Sequence, residues 1–164
     1  CTRGKPSCLL CPFEDVCEAH ARGEERRYPG SKPKRELPTR QTQMLLLQDE
    51  AGRVLLEQRP PSGLWGGLWG FPQFDGDSEL HEWLERHCRG VHLESAWQPF
   101  THTFTHFRLE ITPRPARLPD RNAATAVAES NRQWVDPAEP ANVGLAAPVK
   151  ALLATLAQTH ALNA

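Results

Sequence analysis

The stretch RPPSGLWGGLWGFPQF, from Arg59 to Phe74, sets Gly63, Gly66, Gly67 and Gly70 among the large apolar side chains Leu64, Trp65, Leu68, Trp69 and Phe71. Neither a helical repeat nor strict strand alternation fits it. Glycine lets the backbone turn tightly while bulky side chains pack, so the stretch is expected to form a shaped loop that enters a strand near Phe71 to Phe74. A phosphate-binding loop is excluded, because no Gly-Lys-Ser or Gly-Lys-Thr follows and no apolar helix begins at the required place.

On the N-terminal side of this loop, Met44 to Leu47 is a short apolar run, Asp49 to Gly52 a turn, and Val54 to Leu56 a second apolar run. This is the pattern of a hairpin of two core strands. On the C-terminal side a helix is expected from Ser78 to about His87, capped by Asp77 or Ser78, with Leu80, Trp83 and Leu84 on one face. Alternation resumes from Val91 through Leu93 and Trp97 and reaches PFTHTFTHFRLEIT, Pro99 to Thr112. There Phe104, Phe107, Leu109 and Ile111 suggest a strand after a turn. His102 and His106 have no cysteine and no carboxylate but Glu110 nearby in sequence, which argues against a metal site. A strand ending near Leu118, a loop to Asn131 and a short strand around Trp134 follow. The closing segment is read as an amphipathic helix with Leu145, Val149, Leu152, Leu153 and Leu156 in one stripe and Pro148 tolerated in the first turn.

The front of the chain is different in kind. Cys1, Cys8, Cys11 and Cys17 form C-x6-C-x2-C-x5-C in a segment otherwise poor in apolar residues. Four thiolates at short intervals suit a soft metal or an iron-sulfur cluster. A zinc site competes, although four-cysteine zinc sites usually pair two C-x2-C knuckles and only Cys8 and Cys11 make one here. Disulfides are disfavoured, since Cys88 is the one further cysteine and no export leader is visible. Residues 18–40 carry Pro29, Gly30, Pro33 and Pro38 and no apolar period, and read as a linker. Its cations Arg26, Arg27, Lys32, Lys34 and Arg35 could follow a phosphate backbone or simply be solvated.

The 164 residues have a formal net charge of -1. Residues 1–40 hold nine Lys or Arg against six Asp or Glu, leaving ten against fourteen for the rest, so attraction to nucleic acid is expected mainly from the front. No apolar run reaches the length of a membrane helix. The fifteen prolines argue against a helical bundle. With no initial Met, the chain is expected to be a fragment.

At three places the sequence resembles a known family. The spacing Cys1, Cys8, Cys11, Cys17, with Pro12 after the third cysteine, resembles the 4Fe-4S loop that ends the catalytic domain of helix-hairpin-helix DNA glycosylases. GLWGGLWGFPQF is similar to the corresponding stretch of Nudix domains, above all the Nudix-like C-terminal domain of adenine DNA glycosylases of the MutY type. Phe104-Thr105-His106 is similar to the Phe-Ser-His loop with which those enzymes recognise 8-oxoguanine, with Thr105 in place of Ser. The hydroxyl survives, and the added methyl restricts its rotamers.

The resemblance implies an α+β fold: a Nudix-like mixed β-sheet with flanking helices in residues 41–164, preceded by a four-cysteine cluster loop in 1–17 and an extended linker in 18–40. It implies the C-terminal part of an enzyme that excises adenine mispaired with 8-oxoguanine or guanine, with no catalytic residue in this chain. Cys1, Cys8, Cys11 and Cys17 would hold a 4Fe-4S cluster, or alternatively zinc. Phe104, Thr105 and His106 would read the lesion, and Arg3 and Lys5 would touch the DNA backbone. The implied protein is a monomer of the bacterial cytoplasm, associated with the nucleoid and not with a membrane, and its partner is double-stranded DNA containing 8-oxoguanine opposite adenine. Two other readings remain. In a Nudix hydrolase a box of clustered carboxylates binds magnesium, and with Gly76 and Glu82 as its opening, Gly90 and Val91 stand where an Arg-Glu pair is required; this disfavours a nucleotide pyrophosphohydrolase. The other reading is a non-enzymatic zinc-bearing nucleic-acid-binding module.

Overall fold

The computed structural model describes residues 5–30, 36–88, 90–119, 131–140 and 143–163, with side chains to residue 159. Cys1, Arg3, Lys32, Lys34, Arg35 and most of the loop expected after Leu118 lie outside the described residues. The chain divides into two compact units, Cys1–Glu36 and Leu37–Ala164.

The first unit consists of single turns. Cys8–Leu10, Glu14–Val16 and Glu25–Arg27 are 3-10 turns, and α1 (Glu18–Ala21) is one turn of α-helix. The sequence suggests an extended linker from residue 18, whereas the structure has α1 and a further turn within its first ten residues. A four-residue helix is too short to show a period, so only its geometry reveals it.

In the second unit, eight strands form one mixed sheet among the described residues. They are β1 (Thr39–Gln48), β2 (Val54–Gln58), β3 (Trp69–Gly70), β4 (Gln73–Phe74), β5 (His92–Leu93), β6 (Phe100–Thr103), β7 (Arg108–Arg117) and β8 (Arg132–Val135). The main path runs β3-β2-β1-β7-β5, with β4 on β1, β6 on β7 and β8 on β2. β1 and β7 are parallel from Thr39↔Arg108 to Gln48↔Arg117, while the remaining pairs are antiparallel.

Met44 to Leu47 read as an unbroken apolar run because this strand is covered on both faces. Met44 and Leu46 join Val54, Leu56, Leu109 and Ile111 under the closing helix α3 (Ala147–Asn163), whose Val149, Leu152, Leu153 and Leu156 are buried there. Leu45 and Leu47 turn the other way, onto Leu80, Leu84 and Cys88 at and just beyond α2 (Asp77–His87). The sheet is therefore flanked by helices as the sequence predicts. No helix among the described residues is long and apolar enough to cross a membrane. Ile111 is fully buried, so Ile111→Ala should cost about 2–5 kcal/mol of stability through lost burial and the cavity left behind, measurable by urea unfolding.

Two local outcomes differ from expectation. The N-cap of α2 is Gly76, without a side-chain cap bond, rather than Asp77 or Ser78. Asp77 is drawn away by tertiary partners: Gln43 Nε2 donates to Oδ1 at 3.0 Å and Arg114 also bonds it, and together they hold its carboxyl below the usual range. Glu79 compensates by accepting the Asp75 N–H at 2.9 Å. The second difference is Phe104, which lies in a turn between two strands. β7 also tolerates Pro113 and Pro115, because their missing N–H groups fall on the side of the irregular segment between β5 and β6, where their carbonyls accept from Trp97 and Glu94 (3.0 and 2.9 Å) and no regular ladder needs the donors.

Candidate functional site

Cys8, Cys11 and Cys17 line one cavity of about 180 Å³ together with Pro6, Ser7, Glu14, His20 and Glu25. The local fold explains their convergence. The Cys11 N–H bonds the Cys8 carbonyl at 2.8 Å across the C-x2-C turn, and the Ala21 N–H bonds the Cys17 carbonyl at 3.0 Å as α1 begins. The Cys8 thiol is pushed up first by desolvation, then by the negative charges of Glu25, Cys17, Cys11 and Glu14. Three soft donors facing one space with excess negative charge fit a thiophilic cation or cluster.

The cavity contains two donors that sequence reasoning missed. His20 Nδ1 lies 2.6 Å from Glu25 Oε1, and its Nε2 lies 3.6 Å from Glu14. Donor atoms of Cys8, His20 and Glu25 all fall within 4.8 Å of one another, the only such group of three found among the described residues. His102 and His106 belong to no such group among the described residues. Cys88 is a core residue beyond α2, its thiol pushed up to about 12 chiefly by burial. Lys5 lines a groove with Ser7, Cys8 and Arg26.

The second candidate lies in the other unit. β6 and β7 form a hairpin in register Thr103↔Arg108, closed by a bond from the Phe104 N–H to the Phe107 carbonyl at 2.9 Å. Phe107 is buried and anchors the turn, while Thr105 and His106 project from it exposed. The Thr105 hydroxyl lies 3.2 Å from His106 Nδ1. The Phe104 ring stacks on Phe107, with centroids 4.6 Å apart, and meets His102 edge-on at 4.7 Å and Trp65 at 5.6 Å. The Arg40 guanidinium sits 4.9 Å from the Phe107 centroid. The turn thus presents a hydroxyl and an imidazole to solvent on a base of packed rings. These groups can donate to and accept from a planar polar edge.

Among the described residues no three carboxylates of α2 come within ligating distance of one another. Glu82 and Glu85 are exposed and Glu79 holds the helix start.

A mixed sheet between helices, with the glycine-rich loop ahead of α2, is a Nudix-type fold. Residues 43–155 match the NUDIX domain family, and the chain belongs to it. The chain is also 27% identical over 154 residues to an adenine DNA glycosylase of Buchnera aphidicola subsp. Acyrthosiphon pisum, covering 93% of this chain and 43% of that protein. It is 29% identical to the adenine DNA glycosylase of Arabidopsis thaliana, covering 68% of this chain and 22% of that one. It therefore spans less than half the length of these curated relatives. Among solved structures, the C-terminal domain of mouse MUTYH, crystallised with human PCNA, superposes with a TM-score of 0.57 at 22% identity, covering 73% of this chain and 88% of that one. A Nudix hydrolase of M. smegmatis, RenU, gives 0.52 at 17% identity, covering 79% and 91%. These likenesses concern the fold.

Proposed function

We propose that this chain is the C-terminal part of an adenine DNA glycosylase that removes adenine mispaired with 8-oxoguanine or guanine, and that this part reads the 8-oxoguanine and grips the DNA backbone. One observation carries the reading. Similarity to adenine DNA glycosylases extends over 93% of the chain, well past the 43–155 stretch matched by the NUDIX family, and so takes in much of the segment that precedes it. The target adenine would be flipped into a pocket of the parent outside this chain. On the opposite strand, 8-oxoguanine differs from guanine at one edge: N7 becomes a donor and C8 carries an oxygen. The exposed Thr105 hydroxyl and His106 imidazole, on the Phe104 turn, have the chemistry to distinguish the two.

In the first unit, Cys8, Cys11 and Cys17, with Cys1 as fourth ligand, would hold a 4Fe-4S cluster. The cluster would serve there as a structural staple that fixes the loop carrying Arg3 and Lys5, whose charges supply sequence-independent phosphate contacts. The parent would be a monomer working in the bacterial cytoplasm on nucleoid DNA.

Replacing Thr105 and His106 by Ala in the full-length parent tests lesion reading. The preference for 8-oxoguanine·adenine over guanine·adenine duplexes should fall by about 1–3 kcal/mol, the discrimination carried by a good base contact. Equal losses on both duplexes, measured by titration at fixed salt, would refute the assignment. Lys5→Ala should instead weaken both duplexes alike and reduce the salt slope by about 1.

A further inference from the structure

We infer that Trp65 is a positioning residue for the 8-oxoguanine-reading turn, holding Phe104 so that Thr105 and His106 meet the lesion edge in a fixed geometry; this rests on the function proposed above. The loop that carries Trp65 is closed on itself. The Arg59 N–H donates to the Leu68 carbonyl at 2.9 Å and the Gly67 N–H to the Pro60 carbonyl at 3.1 Å. Arg59 Nε donates to the Leu64 carbonyl at 3.1 Å, and Gln58 Nε2 to the Gly67 carbonyl at 3.2 Å. Gly66 packs so closely that a Cβ there would lie 2.3 Å from the Pro61 carbonyl oxygen. Within this frame Trp65 has φ 54°, the one non-glycine residue with positive φ among those described.

A bulky side chain in the left-handed region is strained, and such strain persists only where surrounding contacts over-determine it. Here the strained backbone delivers the indole to the reading turn, 5.6 Å from the Phe104 ring and 5.8 Å from His102. Phe104 is then confined by Trp65, His102 and Phe107 together, and Phe107 is itself buried in the core. Thr105 follows directly in sequence. Fixing Phe104 therefore fixes the start of the exposed tip before DNA arrives and removes an ordering cost from binding.

A purely structural role would make stability and recognition fall together, and substitutions at Trp65 in the full-length parent separate the two. Trp65→Gly removes the ring but accepts the positive φ without strain. It should keep the unfolding midpoint above that of Trp65→Ala, yet lower the preference for 8-oxoguanine·adenine over guanine·adenine about tenfold, the worth of one or two ring contacts. Trp65→Phe, which restores a ring, should recover most of that preference. If the glycine variant does not fold, Trp65→Leu keeps apolar bulk without a ring, and the same gap should separate it from Trp65→Phe. Full preference in Trp65→Gly or Trp65→Leu, alongside its loss in Thr105→Ala, would overturn the role of Trp65 and leave the lesion reading standing. Unchanged preference in Thr105→Ala as well would overturn the lesion reading and this inference with it.

Discussion

Incubated with duplex DNA carrying adenine opposite 8-oxoguanine, the 164-residue chain alone should release no adenine above the uncatalysed background. Excision of a base needs a carboxylic acid held protonated near neutral pH and a second carboxylate beside the developing cationic sugar. The carboxyls whose acidity is displaced here move the wrong way for the first role. His20 bonds Glu25, and Gln43 with Arg114 bonds Asp77; both carboxyls are held below their usual range. Others are committed elsewhere, Asp49 to Arg53 and the backbone of its turn, Glu57 to Arg132 and Glu110 to Gln41. Because enzymes commonly accelerate reactions by about a millionfold or more, the expected difference between this chain and the full-length parent is the whole catalytic effect. Free adenine measured by chromatography after a single-turnover reaction decides the matter, and its appearance would show that a catalytic pocket exists within these residues. The same logic predicts that magnesium will not elicit hydrolysis of nucleoside triphosphates. The chain belongs to the NUDIX domain family, but Glu82 and Glu85 face solvent on α2 and Val91 stands where a metal-binding Glu is needed.

The fold was legible in the sequence wherever burial leaves an apolar signature over several residues. Met44 to Leu47 and Val54 to Leu56, buried on both faces, announce themselves as unbroken apolar runs, whereas the Leu80-Leu84 face of α2 and the Val149-Leu156 stripe of α3, each buried on one side, do so by apolar period. Pairings between distant segments leave no such trace. Nothing near Thr39 in sequence indicates that it will lie beside Arg108, and the two-residue strands β3, β4 and β5 are too short to carry any repeat. The candidate sites divide along the same line. The cysteines are recognisable because thiols are rare and their spacing is local. His20 and Glu25, which share the cavity, are ordinary residues whose role depends on α1 and the turn after it. The Phe104-Thr105-His106 turn was readable as a motif, but its support was not. Trp65 precedes Phe104 by 39 residues, and only the folded loop brings the rings together.

Prepared anaerobically with iron and sulfide, the chain should be brown and carry about four irons, as expected of a cluster held by cysteine thiolates, and Cys11→Ser should remove both colour and metal. The reason for so large an effect lies in how little else holds the first unit together. Its turns and helix α1 bury no residue, and Leu9, Leu10, Phe13 and Val16 stand 84%, 86%, 68% and 78% exposed. The energy of ordering such a segment must come from ligand bonds rather than from a core, which makes metal binding and local folding one event. The second unit has its own buried core on both faces of the sheet and needs no such staple. Limited proteolysis of Cys11→Ser should therefore cut within residues 5–30 while residues 37–164 persist, and the thermal midpoint of that larger unit should stay within a few degrees of its value in the unmodified chain, as small local changes require. The identity of the metal is decided in the same preparation. Colourless protein with one bound zinc, lost on His20→Ala, would assign the cavity to a zinc site built from Cys8, Cys11, Cys17 and His20 instead of a cluster. Retention of metal at full stoichiometry by Cys11→Ser would refute both assignments.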